Sequence, residues 1–341
     1  MAKLGSETNM TYAREWTISI PSLKGGVGKS TTTAQVANLA ASFGLKVLAI
    51  DLDSNGGLTS ITGASAPRNG RTVRDFLDGD LGERGECIQR PANWQPDPEL
   101  PFHEGGALIE GGRLDVIPSG PDISESISRP GSQAEVRLRD ALAEGGFAND
   151  YDLVLVDAPG TEGPVMQLAL HAAAQIVFPL KPVSLGLKGF SLVIKTAIRF
   201  ATPETPLTSL NAVGAVVTEF QRNRLEHTEV MEYAREVLAQ DLPTVPWIGG
   251  PVPSRAAVSD AVSMQEPVTS MGAWRDTISN RTRLMDAAAA YSAITIAIIR
   301  EVLGDASADQ IVALLKDSDL PDEAKTMIMS GVGVTETQKE H

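Results

Sequence analysis

Residues 22–31 read Ser22-Leu23-Lys24-Gly25-Gly26-Val27-Gly28-Lys29-Ser30-Thr31, and this stretch decides the fold. Before it, Glu15–Pro21 (EWTISIP) has the character of a buried strand. After it, Thr31–Phe43 reads as a helix that stops at Gly44, and Lys46–Leu52 (KVLAIDL) as a second strand. Strand, glycine loop, helix and strand make a βαβ unit, which demands a parallel sheet and a right-handed crossover. The loop has the physics of an anion cradle. Glycines let the backbone approach closely and take positive φ, so successive N–H groups point inward, and the next helix turns its positive N-terminus to the same anion. Lys29 is placed to reach the β- and γ-phosphates of a nucleoside triphosphate, and the Ser30 hydroxyl to ligate Mg2+. A glycine-rich turn that merely ends on a lysine is the bland alternative. It accounts poorly for three glycines and two lysines set between a strand and a helix.

The rest of the chain repeats the alternation. Arg113–Pro118, Leu153–Val156, Gln175–Pro179 and Ala212–Val217 read as strands. Helices are expected at Thr72–Leu77, Ala134–Ala143, Leu187–Phe200 and Thr228–Ala239, and one long helix or two within Ala273–Leu303. This order predicts an α/β fold, a doubly wound, mostly parallel sheet flanked by helices. Residues 1–15 read as a mobile N-terminal segment, 16–303 as the nucleotide-binding domain with an elaborated insertion at about 64–135, and 304–341 as an acidic C-terminal tail with a small helix at Ala308–Leu315.

A triphosphate–Mg2+ site also needs a carboxylate at the end of a buried strand and a group that positions the attacking water. Asp157 meets the first need, directly after Leu153–Val156. Asp51-Leu52-Asp53 meets the second, since period-2 alternation puts both carboxylates on one side of the chain.

Together these motifs resemble the ParA/MinD family of P-loop ATPases. The common phosphate-loop pattern is G-x-x-x-x-G-K-[ST]; here Leu23 replaces the first glycine and Lys24 is added, the deviant form of that family. The resemblance implies an ATP-sandwich homodimer in which Lys24 reaches the nucleotide of the other subunit, acting in trans as an arginine finger does. It makes Gly25, Gly26, Val27, Gly28, Lys29, Ser30 and Thr31 the phosphate cradle, with Lys29 also catalytic. Asp157-Ala158-Pro159-Gly160 is similar to the family's Walker B and second switch, with Gly160 offering an N–H to the γ-phosphate. Asp51-Leu52-Asp53-Ser54-Asn55 resembles its D-x-D-P-Q first switch, with serine for proline and asparagine for glutamine. By that match Asp53 positions water, and Asp51, Asp53, Asp157 and Ser30 surround Mg2+. Thr59 matches a further switch position. By analogy the adenine lies near Thr218 and Pro253. No N-K-x-D follows a strand, so ATP is favoured over GTP. The similarity runs over roughly residues 16–303.

Composition narrows the branch. The lone Cys87 excludes an intramolecular disulfide and a cysteine-bridged cluster, and is expected inert or exposed. One phosphate loop argues against arsenite-pump relatives, and a tail without tyrosine against the tyrosine kinases of the family. The tail holds 8 acids and 3 bases, unlike the basic amphipathic helix of MinD-type membrane binders. No signal peptide is recognisable, and the apolar Ala287–Ile299 is too short to span a bilayer. A cytoplasmic, nucleoid-associated partition ATPase is therefore expected, one that binds DNA non-specifically and is stimulated by a ParB-like centromere-binding partner. The alternatives are an ATP-switched positioning module for a protein cargo and a MinD-like membrane switch. Net charge is −14, but the insertion carries 13 acids against 7 bases, so most of the excess lies there and in the tail. Any DNA face must be local. The family's arginine segment reads Val252-Pro253-Ser254-Arg255-Ala256-Ala257 here, with Arg255 shifted by one. Arg255, Arg275, Arg281 and Arg283 are the candidate phosphate contacts, with Arg222 and Arg224 as further substitutes.

Overall fold

The computed structural model describes residues 15–65, 70–80, 86–99, 102, 106–121, 123, 127, 136–144, 147, 150–200, 211–241, 245–254, 256–269 and 278–332. Six parallel strands form one sheet: β1 (Thr17–Ile20), β2 (Lys46–Asp51), β3 (Arg113–Ile117), β4 (Leu153–Asp157), β5 (Gln175–Leu180) and β6 (Asn211–Val217), in the spatial order β3-β2-β4-β1-β5-β6. This is the doubly wound α/β sheet that the sequence predicts.

Strand alternation sorts the core into two layers. Val47 and Ala49 of β2 point to one face with Ile18 and Ile20 of β1, while Leu48 and Ile50 point to the other with Val154 and Val156 of β4. The first face is covered by α1 (Lys29–Ser42) and the long α9 (Ile278–Leu303). The second packs against α5 (Pro164–Ala172) and α6 (Ser184–Phe200). The other helices are α2 (Gly57–Thr62), α3 (Val73–Leu77), α4 (Arg137–Glu144), α7 (Leu225–Asp241), α8 (Ala256–Ser263), α10 (Asp305–Asp317) and α11 (Asp322–Gly331).

Two departures from the sequence reading have physical causes. α1 begins at Lys29 rather than Thr31, because Gly28 at φ 76° turns the chain straight into the first helical bond, Thr32 N–H to Gly28 O at 2.8 Å. Residues 305–331, read as an acidic tail with one small helix at Ala308–Leu315, form two helices, of which the first contains the expected one. α10 buries Ile311 and Leu315, α11 buries Ala324 and Ile328, and all four join the core on α9's side of the sheet. Their acids sit on the opposite, exposed faces, so charge masked an ordinary amphipathic pair. Cys87, expected inert or exposed, is buried, and burial pushes its thiol pKa up, which fits the inert alternative. Residues 1–14 of the expected mobile segment and parts of the expected insertion lie outside the described residues. The short helix at 73–77 starts on a capping box, in which the Thr72 N–H donates to the Asp75 carboxylate at 2.8 Å.

Candidate nucleotide site

The sheet order places three chain segments at one edge. β4 lies between β1 and β2, and register sets Ile20 beside Asp157 and Asp51 beside Asp157. The loop after β1 and the carboxylates ending β2 and β4 therefore converge at the carboxyl ends of adjacent strands, where open α/β sheets bind ligands.

Lys29 stands at the centre. Its Nζ donates to Asp157 Oδ1 at 2.7 Å and lies 3.4 Å from both Asp53 Oδ2 and Ser30 Oγ. The Ser30 hydroxyl donates to the other Asp157 oxygen at 2.6 Å. Asp51 is held more tightly still: the backbone N–H and hydroxyl of Thr59 both donate to its Oδ2 at 2.8 Å, and the Asp53 N–H to its Oδ1 at 3.1 Å. Asp51 thus braces the loop behind Asp53 and spends both oxygens on that task. α2 carries Thr59 and begins at Gly57, where an added Cβ would fall 2.5 Å from Ser30 Oγ. Only glycine lets α2 close over the serine. Ser119 completes the shelf, its N–H donating to Thr59 Oγ1 at 2.8 Å and its hydroxyl to Asp53 O at 2.7 Å. Asn55 caps Asp53 through both its N–H and its amide, at 3.0 and 2.9 Å.

Three carboxyl groups converge near one ammonium, so more acid gathers here than Lys29 can neutralise. Burial, then the Asp157 charge, pushes the Asp51 carboxyl up to about 7. Burial likewise raises Asp157 above the ordinary carboxylate range. Burial works against the Lys29 charge, but Asp157, with Asp53 and Asp51 beyond it, outweighs that and holds the ammonium charged. Among the described residues no group of three His, Cys, Asp or Glu side chains is arranged as a closed metal cage. A hydroxyl, a carboxylate and crowded acids that a cation would relieve suit Mg2+, which keeps several waters and takes few protein ligands.

The loop is preset around this centre. Gly26 and Gly28 take φ 73° and 76°. Thr218, buried at the end of β6, donates its hydroxyl to Val27 O at 2.7 Å, and its Cβ would lie 3.3 Å from a Cβ at Gly28. Gly160 comes up beside the Gly25 N–H, with 3.9 Å between its missing Cβ and that nitrogen. Lys24 is pinned at its backbone by Ser22, whose Oγ donates to Lys24 O at 2.8 Å and accepts the Lys24 N–H at 3.1 Å. α6 abuts Lys24 at Gly189, where a Cβ would meet Lys24 Cβ at 2.8 Å. Among the described residues no carboxylate pairs with the Lys24 ammonium.

A cavity of about 270 Å3 opens beside Gly28 and Thr31, and Thr218, Pro253, Val258, Val262 and Tyr291 are among its walls. The predicted pair Thr218 and Pro253 thus line one space. Val258, Val262, Ser119, Gly57 and Tyr291 were not singled out from the sequence. The partner of Ser119, Thr59, is 60 residues away, and only tertiary structure joins them.

Residues 15–205 match the model of an AAA domain family. The chain is 31% identical over 217 residues to the chromosome-partitioning ATPase Soj of Thermus thermophilus, covering 63% of this chain and 74% of that one.

The chain belongs to the ParA-type P-loop ATPases.

It is also 28% identical over 253 residues to the chromosome partitioning protein ParA of Caulobacter vibrioides, across 74% of this chain and 85% of that one. Among solved structures it shares its fold with the septum site-determining protein MinD of Pyrococcus horikoshii, complexed with Mg-ADP, at TM-score 0.56 and 20% identity, covering 82% of this chain and 94% of that one. This ParA-type chain has no helix, among the described residues, long and apolar enough to cross a membrane. Of the arginines proposed for DNA, Arg255 and Arg275 lie outside the described residues. Arg281 and Arg283 fall in the first turns of α9, with side chains outside the description. Arg222 is exposed, and Arg224 pairs with Glu226 at 3.6 Å. His227 is buried and accepts the Gln221 N–H at 3.1 Å.

Proposed function

We propose that this chain is a Mg2+-dependent ATPase that hydrolyses ATP to ADP and phosphate and drives DNA partition. The observation that carries the reading is the Lys29–Asp157–Ser30 cluster at the loop mouth, with Asp53 beside it. Lys29 would hold the transferring phosphate, and its ammonium lies on the Asp157 carboxylate that a cation would share. Ser30 and Asp157 hold Mg2+, and Asp51 supports them from behind through α2. When bound, Mg2+ would neutralise charge on the β- and γ-phosphates. Asp53 orients the attacking water, and its carboxylate can accept the water's proton. Backbone N–H groups of Gly25 through Thr31 cradle the phosphates, and Gly160 offers one more. The base enters the cavity walled by Thr218 and Pro253.

Lys24, pinned at its backbone and paired with no carboxylate among the described residues, acts across an ATP-bound homodimer. Its relatives' role in chromosome partitioning supports non-specific DNA binding, a ParB-like partner that stimulates hydrolysis, and a place on the nucleoid. Purified protein should release phosphate from ATP only with Mg2+, and Lys29→Ala should lose ATP binding. Retained ATP binding in that variant would refute the assignment. For DNA, retention on non-specific duplex should require ATP and weaken steeply with salt.

A further inference from the structure

α8, which supplies Val258 and Val262 to the base cavity, ends in a full Schellman turn. The Gln265 N–H donates to Val262 O at 3.0 Å and the Glu266 N–H to Ala261 O at 3.0 Å. Such a turn needs one left-handed residue just past the helix cap, and glycine is the residue that takes it without strain. Here Gln265 takes it, at φ 59°. Only Glu219 is a second non-glycine at positive φ among the described residues. A glutamine in that place gives up the strain-free option, and its contacts say what is gained. Its Nε2 donates to Ser60 O at 3.0 Å, one of the end carbonyls of α2. Its own carbonyl accepts the indole N–H of buried Trp94 at 2.8 Å. Its side-chain amide lies under Gly63, the left-handed cap of α2, where an added Cβ would come 2.9 Å from Oε1. One residue therefore joins the wall of the base cavity to the helix that holds Asp51 through Thr59 and closes on Ser30 through Gly57.

We infer that Gln265 is a positioning residue that couples the base cavity to the carboxylate shelf. A base seated against Val258 and Val262 fixes α8. Gln265 passes that constraint to Ser60, and α2 then holds Asp51 and Asp53 in the geometry for hydrolysis. The coupling acts on turnover more than on binding, because Gln265 is not among the walls of the base cavity. It rests on the ATPase reading.

The test uses the full chain and two variants. Gln265→Gly relieves the strained φ and removes the arm. Gln265→Glu keeps the arm's length and removes its donor, setting a carboxylate against Ser60 O. Phosphate release from ATP gives kcat and KM, fluorescence titration with ADP gives Kd, and thermal melting gives Tm. Both variants are expected to lose about fivefold in kcat, the effect of one hydrogen bond, with KM and the ADP Kd within twofold of wild type. The glycine variant is expected to melt no lower than wild type. A kcat within twofold of wild type in either variant overturns the inference. So does a fall in kcat that merely tracks a lower Tm in both. A wild-type chain that binds ADP but never releases phosphate from ATP would instead overturn the ATPase reading.

Discussion

Thr218→Val removes one hydroxyl and changes little in shape. The hydroxyl donates to Val27 O at 2.7 Å, and Thr218 is buried to 1% exposure. A second acceptor, Leu180 O at 3.2 Å, already receives the Thr218 N–H at 2.8 Å and stays satisfied. The cost falls on Val27, whose carbonyl is left in the interior with no donor. A buried acceptor stripped of its partner costs about 1–3 kcal/mol. Added apolar contact from the new methyl offsets part of this, so about 1.5 kcal/mol is the working value. In a chain of this size that lowers Tm by about 3 °C. The same carbonyl orients the peptide between Val27 and Gly28, so affinity for ADP should fall by up to about tenfold if the whole loss is felt in the bound loop. Thermal melting and ADP titration read the two effects. Thr218→Ser, which restores the hydroxyl, should recover most of the affinity. A valine variant that melts and binds as wild type does would refute the claim that Thr218 is the strut of the phosphate loop.

Gly57→Ala should keep the fold but lose Mg2+-dependent turnover, because the new Cβ forces Ser30 Oγ off Asp157; circular dichroism and phosphate release check the two halves. Asp115 is buried beneath Arg90, Tyr151 and Arg113, whose hydrogen bonds outweigh burial and hold its carboxyl below the ordinary range. A depressed acid contributes stability above its unfolded pKa and loses it as pH falls, so urea midpoints should drop below about pH 4, and Asp115→Asn should flatten that limb while lowering the midpoint at pH 7. Truncation after Leu303 strips α10 and α11 from the core and exposes α9, and each buried Ile or Leu lost is worth about 1.5–3 kcal/mol. The shortened chain should run as aggregate in size-exclusion chromatography.

The βαβ start and the phosphate loop were legible because their signals are local: periodicity in β1 and β2, glycines at the turn, and polar residues at the strand ends. Asp51 and Asp157 were found the same way, yet their roles differ in a manner no spacing shows. Asp51 faces Thr59 and braces, while Asp157 faces Lys29 and Ser30. The base cavity drew two residues from resemblance and the rest from packing, since α8 and Tyr291 meet it from distant parts of the chain. Gln265 was illegible for a sharper reason. Cap statistics predict glycine after a helix like α8, and the glutamine makes sense only once Ser60 is seen beside it. In the tail the core of α10 was legible at Ala308–Leu315, while α11 was missed because its leading acids dominated the composition and hid the apolar stripe behind them.

Asp53→Ala is the most direct test of the central claim. Asp53 sits at the edge of the cluster, 3.4 Å from Lys29, and leaves Asp157, Ser30 and the glycine loop in place when its carboxylate is removed. ATP binding and ATP-driven dimerisation, followed by light scattering, should persist in this variant while phosphate release stops. Phosphate release at the wild-type rate would contradict the account.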